Sequence, residues 1–192
     1  MTDPFLFILA VATILGTPGP TNTLLATGGA LVGIRRALPL LAGELSGYLI
    51  AVFAIRLVLE PVLETLPLIG KILRIAVALY LVYLAAKLWL NRSRHPSERR
   101  VVTIPAVFVT TLLNPKAIIF ALTVLPFGHP VFLAYLGAFI VGIVTAGSLW
   151  IVIGATAGNV AGGRLAVLVP AVAAAALLLF AGLIAWSAIF SP

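Results

Sequence analysis

Two prolines lie inside two long apolar stretches of this 192-residue chain, and they strongly limit how it can fold. One is in Thr17-Pro18-Gly19-Pro20-Thr21-Asn22, and the other follows 97 positions later in Leu113-Asn114-Pro115-Lys116. A proline in a helix interior removes a backbone hydrogen bond and clashes with the preceding turn. In lipid, such a break is tolerated only where it is buried in protein or lines a cavity. Two breaks at matching places in two halves are typical of a transporter's binding site.

The composition places the chain in a membrane. Hydrophobic residues make up 62% of it and charged residues 9%, whereas soluble domains are about 45–50% apolar and about 25% charged. A membrane-spanning helix needs about 20 apolar residues, and the runs 5–34, 117–163 and 165–192 contain no Asp, Glu, Lys or Arg. Residues 1–4 lack the basic start and cleavage site of a signal peptide. We therefore expect a multi-pass protein in the lipid bilayer, with the first run retained as a span.

The same composition argues against several kinds of chemistry. The chain has no cysteine, its only methionine is Met1, and its two histidines, His95 and His129, fall in predicted loops. We therefore predict no metal site and no cofactor. The net charge of +7 comes from basic residues between apolar spans, so a membrane surface explains it better than a nucleic-acid partner. The spans contain no paired acids and no nucleophile–base set, so we do not expect an enzyme.

Charged residues and Pro/Gly clusters divide the chain into six predicted spans. The predicted fold class is an all-α polytopic membrane protein with six transmembrane helices, arranged as two inverted three-helix repeats. Helices 1 and 4 are broken at Pro18–Pro20 and Asn114-Pro115. Residues 1–192 form a single transporter domain, with repeat one at 1–95, a cytoplasmic loop at 91–100 and repeat two at 100–192. The six predicted spans are 5–32, 38–59, 68–90, 103–125, 131–153 and 165–190. Because each half has three spans, the second half enters the membrane from the opposite side.

Lysines and arginines in the short loops predict the orientation. Alternate loops carry eight basic residues on one side and three on the other, which puts both termini outside the cell. The side with eight contains Arg35, Arg36, Lys87, Arg92, Arg94, Arg99, Arg100 and Arg164, and the opposite side contains Arg56, Lys71 and Arg74. Arg56 also has the i,i+4 spacing for a local pair with Glu60.

Two charged side chains fall well inside predicted spans, where a charge costs about 2.5–3.5 kcal/mol and tends to be functional. Lys116 follows the second break near the middle of span 4. Glu44 lies six residues past Leu38 in span 2, and a lone buried acid is usually neutralised or paired. Two interpretations stay open. Either Glu44 and Lys116 form a charge pair whose protonation couples to transport, or Glu44 faces a watery vestibule and helps to collect cationic substrate.

The two breaks together predict a site for a zwitterion. The helix that restarts near Asn22 would hold a carboxylate at its free N–H groups and positive dipole end. Asn114 and the carbonyls before Pro115 would hold an ammonium group. The alternative is a pair of kinks filled by structural hydrogen bonds. The predicted substrate-binding residues are Thr17, Pro18, Gly19, Pro20, Thr21, Asn22, Asn114, Pro115 and Lys116. Gly43 and Gly47, four positions apart, are predicted to let helices pack closely.

Several motifs occur in a characteristic order along nearly the whole chain. They are Thr17-Pro18-Gly19-Pro20-x-Asn22, Gly33-Ile34-Arg35-Arg36-Ala37-Leu38-Pro39, Gly43-x-x-x-Gly47 and Leu113-Asn114-Pro115-Lys116-Ala117. Together with the tract 76–88, they resemble the lysine exporter (LysE/RhtB) family of amino acid translocators. The resemblance implies that the functional residues are Pro18, Gly19, Pro20 and Asn22 in the first motif, and Asn114, Pro115 and Lys116 in the last.

The resemblance implies export of small amino acids or their derivatives across the bacterial inner membrane, driven by an ion gradient, by a homodimer. Exporters of basic amino acids in this family often carry an acid just after the second glycine of span 2, where this chain has Tyr48. The context of Arg35-Arg36 and Pro39 is closer to the branch that exports cysteine, O-acetylserine and other small neutral amino acids.

A secondary active exporter of small amino acids or derivatives, coupled to the proton gradient, is therefore the leading hypothesis. A heavy-metal or other ion exporter of the same superfamily is one alternative, although such an exporter would require several His, Asp or Glu residues inside the spans. A membrane subunit with a purely structural role is the other.

Overall fold

The computed structural model describes residues 2–59, 67–90, 102–160 and 162–190, and the regular structure within these ranges is helical. The first half contains α1 (Pro4–Gly16), α2 (Pro20–Val32), α3 (Ile34–Ala37), α4 (Leu40–Ala54) and α5 (Pro67–Leu90). The second half contains α6 (Ile104–Leu112), α7 (Pro115–Ile119), α8 (Phe132–Val160) and α9 (Gly162–Phe190). Stretches of π-helix extend α4 over Ile55–Leu59 and α7 over Phe120–Val124. The predicted all-α fold is confirmed; the predicted loop at 91–100 and Glu60 lie outside the described residues.

Both predicted helix breaks are present. The chain bends by 62° between α1 and α2, and by 48° between α6 and the helix Pro115–Val124. Pro20 and Pro115 occupy the first turn of a new helix, where a missing N–H is tolerated and the fixed φ suits the helix. These two prolines therefore begin helices, rather than interrupting the interior of one.

The described helices include up to four candidate membrane spans. Two of them, Ile34–Val58 and Phe132–Ala157, are long and apolar enough to cross a membrane unbroken, and each bent pair can serve as one further span. Helices α5 and α9 have 24 and 29 residues, or about 36 and 43 Å at 1.5 Å per residue, against a hydrocarbon core of about 30 Å. Their apolar stretches among the described residues are shorter, at Ile75–Leu90 and Ala171–Leu183.

The most extensive helix packing joins one half of the chain to the other. Helix α2 of the first half packs along α8 of the second, and α6 of the second half packs along α4 of the first. The third spans, α5 and α9, pack on each other. Each of these pairs joins one half of the chain to the other, which is the pattern expected of the predicted inverted repeats.

Two glycines bring α4 and α6 into close contact. A Cβ atom at Gly43 would lie 2.6 Å from the carbonyl oxygen of Ile104, and one at Gly47 would lie 2.7 Å from Cβ of Thr111. Because both distances are shorter than van der Waals contact, any larger residue would push the helices apart. This close packing of α4 against α6 fixes the position of α6, which leads into the second break.

The buried side chains form two apolar clusters that meet at the breaks. One includes side chains of α2, α5, α6 and α9, and the other includes side chains of α1, α7 and the first half of α8. The second cluster is rich in aromatic rings: Phe7, Tyr48, Phe120, Tyr135 and Phe139. Since α1 and α2 belong to different clusters, as do α6 and α7, each break lies at the boundary between them.

Candidate functional site

The two breaks lie against each other and share hydrogen bonds. Asn114 donates through Nδ2 to Oγ1 of Thr21 at 2.9 Å, and the hydroxyls of Thr21 and Thr111 are 3.1 Å apart. The hydroxyl of Thr111 donates to the carbonyl oxygen of Val107 at 2.8 Å, so it cannot also donate to Thr21. Thr21 is therefore the donor in the bond between the two hydroxyls. All three polar side chains are buried. The result is a continuous buried network that joins repeat one to repeat two.

Asn22 caps the end of α1. Its Nδ2 group donates to the carbonyl oxygens of Leu15 and Thr17, both at 2.8 Å. The hydroxyl of Thr17 donates to the carbonyl of Ile14 at 2.7 Å. These bonds satisfy carbonyls that the last turn of a helix leaves without intrahelical partners.

Lys116 brings a positive charge to the same helix end. Its Nζ group donates to the carbonyl oxygen of Thr17 at 2.5 Å. The side chain passes over Gly19, where a Cβ atom would lie 3.1 Å from Cε of Lys116. The C-terminal end of α1 carries the negative end of the helix dipole, which favours a cation. Among the residues of the two break motifs, Lys116 alone carries a charge, and it fastens the second break to the first.

Glu44 is buried between α4 and α8. It is 1% exposed, and among the described residues neither of its carboxyl oxygens has a hydrogen-bond partner. Gly147 of α8 leaves room for the carboxyl group, because a Cβ atom there would contact Oε2 of Glu44. An ionised carboxylate without a partner is costly in such surroundings, so the site suits the neutral acid. Glu44 and Lys116 are not hydrogen-bonded to each other in this structure, since Lys116 donates to Thr17 instead.

The nine predicted binding residues differ in burial. Five are buried where the two breaks meet, Lys116 is half-buried, and three are exposed. The buried members are Gly19, Pro20, Thr21, Asn22 and Asn114, and the exposed members are Thr17, Pro18 and Pro115. In this conformation the Asn22 amide caps the end of α1 and the Asn114 amide joins the breaks. Structural hydrogen bonds of this kind are what the alternative interpretation of the kinks describes, and the substrate-binding role stays a prediction. Thr17 and Lys116 are the more accessible polar residues of the two motifs.

Two residues that lie where the breaks meet, Thr111 and Tyr48, were not predicted from the sequence to belong to the site. Thr111 precedes Asn114 by three residues, so helical periodicity would place it on the same face. Tyr48 was noted only because it replaces an acid. Its hydroxyl lies 3.5 Å from Nδ2 of Asn114, a weak contact, and its ring packs edge-on against Phe120 and Phe139.

An apolar groove opens beside the first break. It lies between α1 and α8, encloses about 530 Å³ and reaches Gly16, the residue before Thr17. Its walls are predominantly apolar, with Thr145 and the indole of Trp150 as the polar contributors. Within the described ranges, no three His, Cys, Asp or Glu side chains lie close enough to hold a metal ion.

Broken apolar helices that meet at a polar crossing define a polytopic membrane protein of the transporter class. The family model described as LysE type translocator matches residues 12–188. The chain therefore belongs to the LysE type translocator family, whose members are transporters. The family predicted from the motifs is thus confirmed. No curated protein and no solved structure matches the chain.

Proposed function

We propose that the protein is a secondary active exporter of small amino acids or amino acid derivatives across the bacterial inner membrane, coupled to the proton gradient. The observation that carries this proposal is the bond between Nζ of Lys116 and the Thr17 carbonyl, where the broken helices of the two repeats meet. It pairs a mobile cation with the negative end of a helix inside the membrane. An amino acid also carries one positive and one negative group, so it matches both partners. Membership in a translocator family supports the same function.

The groove beside Gly16 supports a neutral side chain on the substrate. Its predominantly apolar walls offer no counter-charge for a lysine-like or arginine-like side chain. This favours the branch that exports small neutral amino acids, such as cysteine and O-acetylserine. The exposed Thr17 backbone at one end of the groove would place the substrate's charged groups next to Lys116.

Glu44 is proposed as the proton-coupling residue. It is buried and unpartnered in the present conformation, which supports the neutral form here and the loss of a proton in a conformation that opens the α4–α8 contact. Lys116 is the proposed partner for the ionised form. The asymmetric distribution of Lys and Arg supports an orientation with both termini outside, and we propose a homodimer as the working assembly.

A metabolite screen tests the proposal. Culture medium from cells that overproduce the full chain is compared with medium from cells that overproduce the Lys116→Ala variant. We expect one or more small amino acids to accumulate only with the wild-type chain. Purified protein in liposomes, loaded with each enriched amino acid and given an imposed pH gradient, then tests coupling. No efflux of any amino acid under that gradient would contradict the proposed function.

A further inference from the structure

The carbonyl oxygen of Thr17 is fully occupied. It accepts one hydrogen bond from Nδ2 of Asn22 at 2.8 Å and another from Nζ of Lys116 at 2.5 Å. A carbonyl oxygen has two lone pairs, so both of its acceptor positions are used. An ammonium group that binds at this end of α1 must therefore displace one of these donors. Asn22 is 2% exposed and also holds the Leu15 carbonyl, whereas Lys116 is half-buried on a flexible stem, so Lys116 is the donor that can leave.

A displaced Lys116 needs an anion. An unpaired ammonium inside a membrane span is costly, and the other side chains of the two break motifs are uncharged. Gly19 makes room for the lysine stem, because a Cβ atom there would crowd Cε of Lys116.

We infer that a free α-amino acid inserts between Lys116 and Thr17, and that Lys116 occupies the substrate's ammonium subsite when the transporter is empty. The substrate ammonium takes the bond to the Thr17 carbonyl, and the substrate carboxylate receives the released Lys116 ammonium. This inference rests on the proposed function and specifies its substrate class. It also reverses the roles predicted from the sequence, because it places the substrate's cation at the first break and its anion on the second.

The required substrate is an amino acid with both α-groups free. A carboxamide keeps the ammonium but gives Lys116 no counter-charge. An N-acetyl amino acid keeps the carboxylate but offers no cation to the end of α1. A modification on the side chain leaves both groups intact and is compatible with binding.

While substrate is bound and Glu44 is still buried against α8, Glu44 is the rival partner for a displaced Lys116. Among the described acidic residues, Glu44 is the one inside a span, and its carboxyl group points towards α8. If Lys116 moved to Glu44, the substrate carboxylate would be dispensable and the carboxamide would be exported as well as the free acid. The two partners therefore predict different substrate preferences.

The test uses the full chain in liposomes and the amino acid that the metabolite screen identifies. Initial efflux rates are measured for three matched compounds: the free amino acid, its carboxamide and its N-acetyl form. We expect the free amino acid to leave at least about tenfold faster than either analogue, since a site built around polar groups rejects ligands that leave them unpaired. Export of either analogue within about twofold of the free amino acid overturns the inference. Failure of every free amino acid to move overturns the proposed function instead.

Variants of Lys116 provide an independent readout. Lys116→Arg retains the cation and should keep the preference for the free amino acid over the carboxamide. Lys116→Gln should reduce that preference at least about tenfold, because the carboxylate loses its counter-charge. A purely structural role would lower both rates and leave their ratio unchanged, which overturns the inference. Should Lys116→Gln fail to fold, the three-compound comparison on the wild-type protein decides alone.

Discussion

Replacing Gly154 by alanine should force α2 and α8 apart. The new Cβ atom would contact the carbonyl oxygen of Ala26, and it would lie 2.5 Å from the carbonyl carbon and 2.7 Å from Cα of the same residue. Ordinary van der Waals contact begins at 3.4 Å. Because all three atoms belong to the backbone, no side-chain rotation can relieve the overlap. The two helices must separate locally by at least about 1 Å.

The expected loss of stability follows from two opposing terms. Overpacking a well-packed interior costs about 1–3 kcal/mol, and the value should be near about 3 here because the obstacle is backbone. Alanine is better than glycine in a helix by about 0.5–1 kcal/mol, which offsets part of the cost. The net loss is about 2 kcal/mol. For a chain of this size, each kcal/mol shifts Tm by about 2–4 °C, so Tm should fall by about 4–8 °C.

Thermal unfolding of the purified protein in detergent, followed by far-ultraviolet circular dichroism, measures this loss. The matched control is Gly137→Ala in the same helix, where a Cβ atom would meet no atom within 4 Å. The control should leave Tm unchanged or raise it by about 1–4 °C, because only the helix-propensity gain applies. Equal Tm values for the two variants would refute the close backbone contact between α2 and α8.

Substitutions at three other positions probe the meeting point of the two breaks and its surroundings. Glu44→Gln should fill the space beside Gly147 without a titratable proton, so export should lose much of its dependence on an imposed pH gradient; efflux rates with an unchanged pH dependence would exclude a coupling role. Asn114→Ala should destabilise the protein by about 2 kcal/mol, from the lost cap of α7, where Oδ1 accepts from the Lys116 N–H (about 1 kcal/mol), and from the lost donor to the Thr21 hydroxyl (about 1 kcal/mol), whereas Asn114→Ser, which keeps a capping oxygen and stays uncharged, should lose less in the same melts. Tyr48→Phe should unfold within about 1 kcal/mol of wild type, because its hydroxyl contact is long, while Tyr48→Ala should lose about 3–5 kcal/mol of ring packing; similar losses for both would show that the hydroxyl matters more than its 3.5 Å contact suggests.

Local properties of the sequence predicted the helices and their breaks. Whether a stretch can cross lipid depends on its own length and apolarity, and whether a helix can restart depends on a proline or a capping residue at that point. Both conditions are met within a few residues of Pro20 and Pro115. For this reason the positions of the spans and both breaks could be predicted from the sequence, and the order of the motifs along the chain indicated the family.

The partners of the polar side chains could not be predicted in the same way. Thr21 meets Thr111 across 90 positions, Asn114 meets Thr21 across 93, and Lys116 meets Thr17 across 99. One of the two interpretations that the sequence left open pairs Lys116 with Glu44, since opposite charges in an apolar medium attract. In this conformation Lys116 donates to Thr17 at the end of α1, and Glu44 lies against Gly147. The sequence by itself determined which segments enter the membrane and where they break, because those choices are local; the tertiary structure alone decided which group receives the half-buried Lys116 ammonium in this conformation, because that depends on how the two halves cross.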